Sequence, residues 1–314
     1  MFEKIYIAKV KHKSMHNIVL AIFLAITFYG CVSPKKNDGK IHVLATTGII
    51  ADILSNSLDS SFVVESLMGP GVDPHLYKAS AKDVGLLSSA DIIVYNGLHL
   101  EGKMTEILKK VGRHKLVIAI SDGIPESSLM SLGEGIHDPH IWFDISLYSK
   151  GLQHIYWTLN RHYPIQAQSS RDTYEKYQKK LHEMHAWTKQ RIELIPAKQR
   201  ILITAHDAFG YFGRAYGMQV VGLQGISTVA EFGIQDIMRL SALIKQYSIR
   251  SIFIESSVPK RSIESVMYNV QASGGSVGIG GQLFSDALDS KSKKAGTYLG
   301  MLEANVHTIV SSLK

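Results

Sequence analysis

Short apolar runs along the chain alternate with stretches in which apolar residues recur every three or four positions. Residues 42–47 (HVLATT), 62–68 (FVVESLM), 90–96 (ADIIVYN) and 115–121 (KLVIAIS) read as strands, and residues 48–58, 80–87 and 102–111 as helices. The alternation resumes after residue 200. Strands are expected at 200–205 (RILITA), 218–223, 251–255 (SIFIE) and 276–280, and helices at 208–216, 235–247, 262–271 and 297–313. Between these blocks, residues 148–161 are helical in pattern until Pro164. Residues 171–195 then run 25 positions without Gly or Pro. Tyr174, Tyr177, Leu181, Met184, Thr188, Ile192 and Ile195 form one stripe along that segment, Ser170 and Asp172 suit its start, and Pro196 ends it. A helix of this span is about 37 Å long at 1.5 Å per residue. The expected fold is α/β: two lobes, each a mostly parallel sheet flanked by helices, bridged by one long backbone helix. The boundaries predicted are an N-terminal lobe at 41–168, a linker helix at 169–196 and a C-terminal lobe at 197–314.

The first thirty residues follow a different pattern. Residues 18–29 (IVLAIFLAITFY) are an uncharged apolar run behind Lys4, Lys9, Lys11 and Lys13, opposed only by Glu3. The run is short for a bilayer span, which takes ~20 residues, and it fits a secretory signal at 1–30. It ends at Gly30-Cys31, and Cys31 is the single cysteine of 314 residues. This resembles a bacterial lipobox, with Phe28 and Gly30 in pattern and Tyr29 where a small residue is usual. The expected product is a protein lipidated at Cys31, tethered by polar residues 31–40 and held on the outer side of the cytoplasmic membrane or at the cell surface. One cysteine excludes a disulfide scaffold, and 45% hydrophobic residues exclude a disordered chain. Residues 1–30 carry +3 of the formal charge of +7, and no basic stripe interleaved with aromatics points to nucleic acid.

The chemistry lies at the ends of strands. Asp-Pro-His occurs twice, as Asp73-Pro74-His75 after the second strand and Asp138-Pro139-His140 after the fourth. Proline fixes its own φ and pushes the preceding residue out of the helical region, so the histidine after it sits on a stiff turn. His206 directly follows RILITA, and Asp286 comes a few residues past the last strand. Ligands of open α/β sheets bind outside the carboxyl ends of strands, and a cleft between lobes would bring these four together. Taken singly, His206 could cap the next helix and Asp286 could be an N-cap or a solvated turn residue. Three imidazoles and a carboxylate without a thiolate suit Zn(II), Mn(II) or Fe(II). Four protein ligands leave little room for a reactive water, and HExxH and Walker motifs are absent from the sequence. The glycines at 274–281 read as tight turns around a strand.

The stretches MGPGVDPHLY, ADIIVYNGLHLE, DPHIWFD, ITAHDAFGYF, GLQGIST, IFIESS and LFSDAL together resemble the metal-binding lipoproteins of zinc and manganese ABC importers, the cluster A-I solute-binding proteins, and most of all their treponemal members. The likeness runs from His42 to the end of the chain. It implies two α/β lobes bridged by a rigid helix, and His75, His140, His206 and Asp286 as the ligands of one Zn2+ or Mn2+, with Fe2+ also admitted. It also implies a monomer that delivers its ion to an ABC permease and is not an enzyme; surface adhesion and metallohydrolysis are the competing functions. Manganese-dedicated streptococcal relatives carry Glu at the position of His206. Zinc-dedicated relatives often have a His-rich loop where this chain has DGIPESSLMSLGEGIHD, with only His137. A ligating histidine normally donates its other N–H to an oxygen, which points to Asp73, Asp138 and Glu255 as supporting carboxylates. His137 reads as a loop residue, His182 and His185 as surface or side-packed positions on the long helix, and Tyr211, Phe212 and Tyr216 as core.

Overall fold

The computed structural model describes residues 39–314. The signal segment, Cys31 and nearly all of the tether lie outside the described residues. The first half contains β1 (Ile41–Ala45), α1 (Gly48–Ser57), β2 (Phe62–Ser66), α2 (Ala81–Ser89), β3 (Ile92–Tyr95), α3 (Thr105–Val111) and β4 (Leu116–Ala119). Its strands form one sheet in the order β2-β1-β3-β4, every neighbour parallel. Helix α1 shows why the local sequence folds this way. The Thr47 hydroxyl accepts from the Ile50 N–H at the N-terminus, and Ile49, Ile50, Ile53 and Leu54 turn one buried face to the sheet. Helix α2 opens with a capping box between Ser80 and Asp83.

A small antiparallel hairpin follows, β5 (Ser131–Gly133) with β6 (Ile136–His137), which the apolar pattern does not announce because all but His137 of its five residues are exposed. Three helices come next: α4 (Ile145–His162), α5 (Pro164–Ser169) and α6 (Arg171–Ile192). Pro164 does end α4, but it also opens α5 at its first turn, where a missing N–H costs nothing. Helix α6 is the expected long helix with Tyr174, Tyr177, Leu181, Thr188 and Ile192 buried. It stops three residues early: Leu194 and Ile195 donate to Arg191 and Ile192, a tightened last turn before Pro196, so its length is about 33 Å.

The second half contains β7 (Ile201–His206), α7 (Gly210–Tyr216), β8 (Gln219–Gln224), α8 (Ile234–Gln246), β9 (Ser251–Glu255), α9 (Arg261–Ala272), β10 (Gly278–Leu283) and α10 (Tyr298–Leu313). Parallel pairs β7-β8 and β9-β10 lie with β7 beside β9. The glycines at 278–281 are strand rather than turns. A Cβ on Gly280 would meet Phe253 and Ser312 at 2.9 Å, and Gly281 takes a φ of +143° at a bulge, so glycine lets α10 pack directly on β10.

The apolar core does not divide at the long helix. One cluster runs from Val43 and Ile53 through Phe143, Tyr148, Tyr177 and Leu181 to Phe209, Tyr298 and Ile309, with smaller clusters in each half. Helix α6 packs on α1 and α4 of the first half and on α7 and α10 of the second. Among the described residues, no helix is long and apolar enough to cross a membrane.

Candidate metal centre

The two Asp-Pro-His turns fold alike. The His75 N–H donates to Asp73 Oδ1 at 2.8 Å, and the His140 N–H donates to Asp138 Oδ1 at 2.9 Å. Each aspartate thus closes a turn two residues long and points the following imidazole inward. His206 is the last residue of β7 rather than the first after it, and it caps no helix, since α7 begins at Gly210 behind Phe209. Asp286 lies three residues past β10 and is 1% exposed, neither a cap nor a solvated turn. Its approach is held by Asn305 of α10, whose amide accepts from the Phe284 N–H at 2.8 Å and donates to the Phe284 carbonyl at 2.7 Å.

These four residues converge. One ligand atom from each lies within 4.8 Å of all the others, and all four side chains are buried. His75 Nε2 is 3.3 Å from His140 Nε2 and 3.8 Å from Asp286 Oδ2. His140 Nε2 is 3.5 Å from Asp286 Oδ1, and His206 Nε2 is 3.3 Å from Asp286 Oδ2. The edge of a tetrahedron is about 1.6 times its centre-to-corner distance, so metal–donor bonds of ~2.0–2.2 Å demand edges of ~3.3–3.6 Å. Three of these four spacings fall in that range, and the fourth, His75 to Asp286 at 3.8 Å, is slightly longer. Both carboxylate oxygens of Asp286 are buried without hydrogen-bond partners, a costly state that a cation at their focus would relieve.

Support behind the ligands differs from one to the next. Asp138 Oδ1 is 2.6 Å from His140 Nδ1, and Glu255 Oε2 is 2.5 Å from His206 Nδ1 while its Oε1 accepts from the His206 N–H at 2.8 Å. Each of these carboxylates stands where an oxygen partner would favour the tautomer that leaves Nε2 free for a metal. Asp73 departs from that expectation. Its Oδ2 accepts from the Thr228 hydroxyl at 2.6 Å, and among the described residues no carboxylate hydrogen-bonds the second ring nitrogen of His75. The reason is geometric: Asp73 already closes the turn with one oxygen and faces the opposite half of the molecule with the other.

Electrostatics follow this arrangement. Burial pulls the His75 imidazole down to about 4, only partly opposed by Asp286. Burial also disfavours charge on His206, but Glu255 and Asp286 outweigh it and hold its pKa well above the ordinary value. Burial would raise Asp286, yet His206, His140 and His75 together hold it well below the usual carboxylate range. Without metal, the surroundings thus favour the neutral form of His75 and the charged form of His206.

The other histidines stay apart from the cluster. His137 ends β6, half-buried, His182 is exposed, and His185 Nδ1 lies 3.1 Å from the Tyr216 hydroxyl. Tyr211, Phe212 and Tyr216 are buried as expected, but Tyr211 does more than pack. Its hydroxyl donates to the Asp138 carbonyl at 3.0 Å and accepts from the Met130 N–H at 3.0 Å. Several supporting hydrogen bonds went unread in the sequence. The Trp142 indole N–H donates to the Ser285 carbonyl at 3.0 Å, and the Asn96 amide donates to the Pro139 carbonyl at 2.9 Å. Buried Glu101 accepts from the Thr46 hydroxyl at 2.6 Å and the Asn96 N–H at 2.7 Å. Only Glu101 left a signal, a lone acid within the YNGLHLE stretch; the contacts of Trp142 and Asn305 reach across more than a hundred and about twenty positions, respectively.

Comparison with known proteins places this arrangement. The family model described as ZnuA, zinc-uptake complex component A periplasmic, matches residues 43–312. The zinc-binding protein TroA of Treponema pallidum is 46% identical over 276 residues, 88% of this chain and 90% of its own length. The manganese-binding lipoprotein MntA of Bacillus subtilis is 44% identical over 298 residues, 94% of this chain and 97% of its own. The solved structure of the periplasmic zinc-binding protein TroA superposes with a TM-score of 0.86 over 88% of this chain and 99% of that one.

Proposed function

The chain belongs to the family of zinc-uptake complex component A periplasmic proteins, and from that premise we propose that it captures one divalent transition metal at His75, His140, His206 and Asp286 and hands it to the permease of an ABC importer. It is an extracytoplasmic solute-binding component and not an enzyme. The cargo proposed is zinc or manganese, with iron(II) admitted by the same donor set. The observation that carries the reading is the convergence of four buried donors within 4.8 Å at edge lengths suited to a small ion. All four come from one chain, which supports a monomer as the working unit. Two lobes at 41–168 and 197–314, with the segment 169–196 between them, are the proposed functional division. Lipidation at Cys31 is the proposed anchor. It is supported by the apolar run before that cysteine and by the word lipoprotein in the name of MntA.

Metal titration with elemental analysis of the protein purified from its own cell tests the proposal. One ion per chain is expected. His140→Ala should weaken binding by more than the roughly 10–100-fold that losing an outer partner costs. Unchanged affinity in that variant would remove His140 from the ligand set. For the anchor, Cys31→Ser should move the protein from the detergent to the aqueous phase on partition.

A further inference from the structure

Of the four ligands, His75 is the one least held. It is 4% exposed, against 0%, 0% and 1% for His140, His206 and Asp286. It is also the only one of the three histidines whose ring lacks a carboxylate partner at Nδ1. What keeps its turn in place is Asp73, and the free oxygen of Asp73 is taken by Thr228, 155 positions away in the other half of the chain. Thr228 sits in a segment between β8 and α8 that has no regular structure. That segment is pinned at its base by Gln224, 9% exposed, whose amide donates to the carbonyls of Thr228 at 2.8 Å and of Ala230 at 2.5 Å. A chain of hydrogen bonds thus runs from the end of strand β8 through Gln224, Thr228 and Asp73 to the backbone of His75. Its middle link joins the two halves directly over the most exposed ligand.

We infer that Thr228 is a positioning residue for metal capture: its hydroxyl latches Asp73 from across the cleft and thereby holds His75 closed on the ion, so that breaking this one bond is the first step of release. The inference rests on the ligand set proposed above. The chemistry favours such a role. A hydroxyl donating to a carboxylate makes a strong charge-assisted bond, yet it is a single bond on a loop and can be broken without unpacking the core. The other two histidines are locked by carboxylates inside the fold and offer no comparable point of opening.

Two measurements on full-length protein test the latch and keep its failure separate from failure of the ligand set. Thr228→Val keeps the shape and removes the hydroxyl. In stopped-flow chelator competition with zinc, it should speed metal dissociation by about tenfold or more, within the range known for outer partners of a metal site, while association changes little. Thr228→Ser should restore the wild-type rate. In metal-free protein, hydrogen exchange at residues 69–77 should quicken in Thr228→Val while residues 138–144 stay as they were. Dissociation and exchange both unchanged in Thr228→Val would overturn the latch. Faster exchange with a wild type that binds no zinc would leave the Thr228–Asp73 contact standing but overturn the ligand set and, with it, the role of the latch in metal capture.

Discussion

Asp73-Pro74-His75 and Asp138-Pro139-His140 share a tripeptide and the same backbone hydrogen bond, at 2.8 and 2.9 Å, but they are built into the molecule differently. The second turn is embedded. Asp138 holds the ring of His140, Asn96 and Tyr211 hold the carbonyls of Pro139 and Asp138, and Trp142 packs edge-on to His140 with ring centroids 5.2 Å apart. The first turn lies at the margin. Leu76, next to His75, is 46% exposed, and the main polar anchor is Thr228 of the other half. Identical local chemistry therefore yields one turn held from several sides and one whose main side-chain anchor comes from the other half, and the difference comes entirely from what the fold puts behind each turn. A receptor that must both hold and surrender its ion has use for both.

The contrast is sharpest in the residues just after each turn. Trp142 is 2% exposed, bonds Ser285 through its indole, and its carbonyl accepts from the Tyr298 hydroxyl at 2.5 Å. Trp142→Ala should cost about 3–5 kcal/mol of stability, as large core truncations do. Leu76→Ala should stay within about 0.5 kcal/mol. Denaturant unfolding of both metal-free variants checks this, and equal losses would dissolve the distinction between an embedded and a marginal turn.

Asparagine in place of each aspartate comes next in size. Asp138→Asn removes the charge beside the His140 ring and should lower metal affinity by about 10–100-fold. Asp73→Asn leaves the ring of His75 as it was and should weaken binding less, chiefly through faster dissociation. The reverse order in calorimetric titrations would mean that Asp73, not Asp138, carries the support.

Protons separate His75 from His206. Imidazole must be neutral to bind metal, and in the metal-free centre Glu255 and Asp286 push the His206 pKa well above its ordinary value, which favours the charged form. Metal binding at pH 7 should therefore release about one proton, measurable by calorimetry in buffers of different ionisation enthalpy. Affinity should fall as the pH is lowered. No proton release would refute a charged His206. For stability the two residues have opposite signs. The folded pKa of His75 is lowered from 6.5 to about 4, so the unfolded chain binds more protons in that interval. Its contribution is full above 6.5 and is lost as the pH falls toward 4. His206, with a raised folded pKa, contributes fully below 6.5 and loses its contribution as the pH rises through that raised value. Metal-free His75→Gln should accordingly lose less stability than wild type between pH 6.5 and 4 in thermal melts.

The smallest expected effect is in overall shape. The continuous core and the packing of α6 on both halves oppose a hinge, and α6 has no internal Gly or Pro at which to bend. Movement should be confined to the His75 turn and the Thr228 loop. Solution scattering should give nearly equal radii of gyration with and without metal, although metal at ~1,000 times its dissociation constant adds about 4 kcal/mol of stability. A contraction of several ångströms would show that the halves close as bodies.

Much of this was legible in the chain. The alternation of strand-like runs with 3.6-residue stripes is local, so it dictated the α/β class, nearly every element and the long helix. The misreadings at residues 193–195 and at the glycines of β10 fall where one residue suits two local states and a neighbour decides. The four candidate ligands could be picked out because turn chemistry at Asp73 and Asp138, and position after strands at His206 and Asp286, are written in short spans. Tertiary structure alone decided which oxygen stands behind which imidazole. Asp73 and Asp138 look the same in sequence, and only the approach of Thr228 to one and the burial of the other against the His140 ring give them different work. The partners that set those differences, Thr228, Ser285 and Asn305, come from positions far along the chain, and hydrogen bonds between distant residues have no period for a sequence to display.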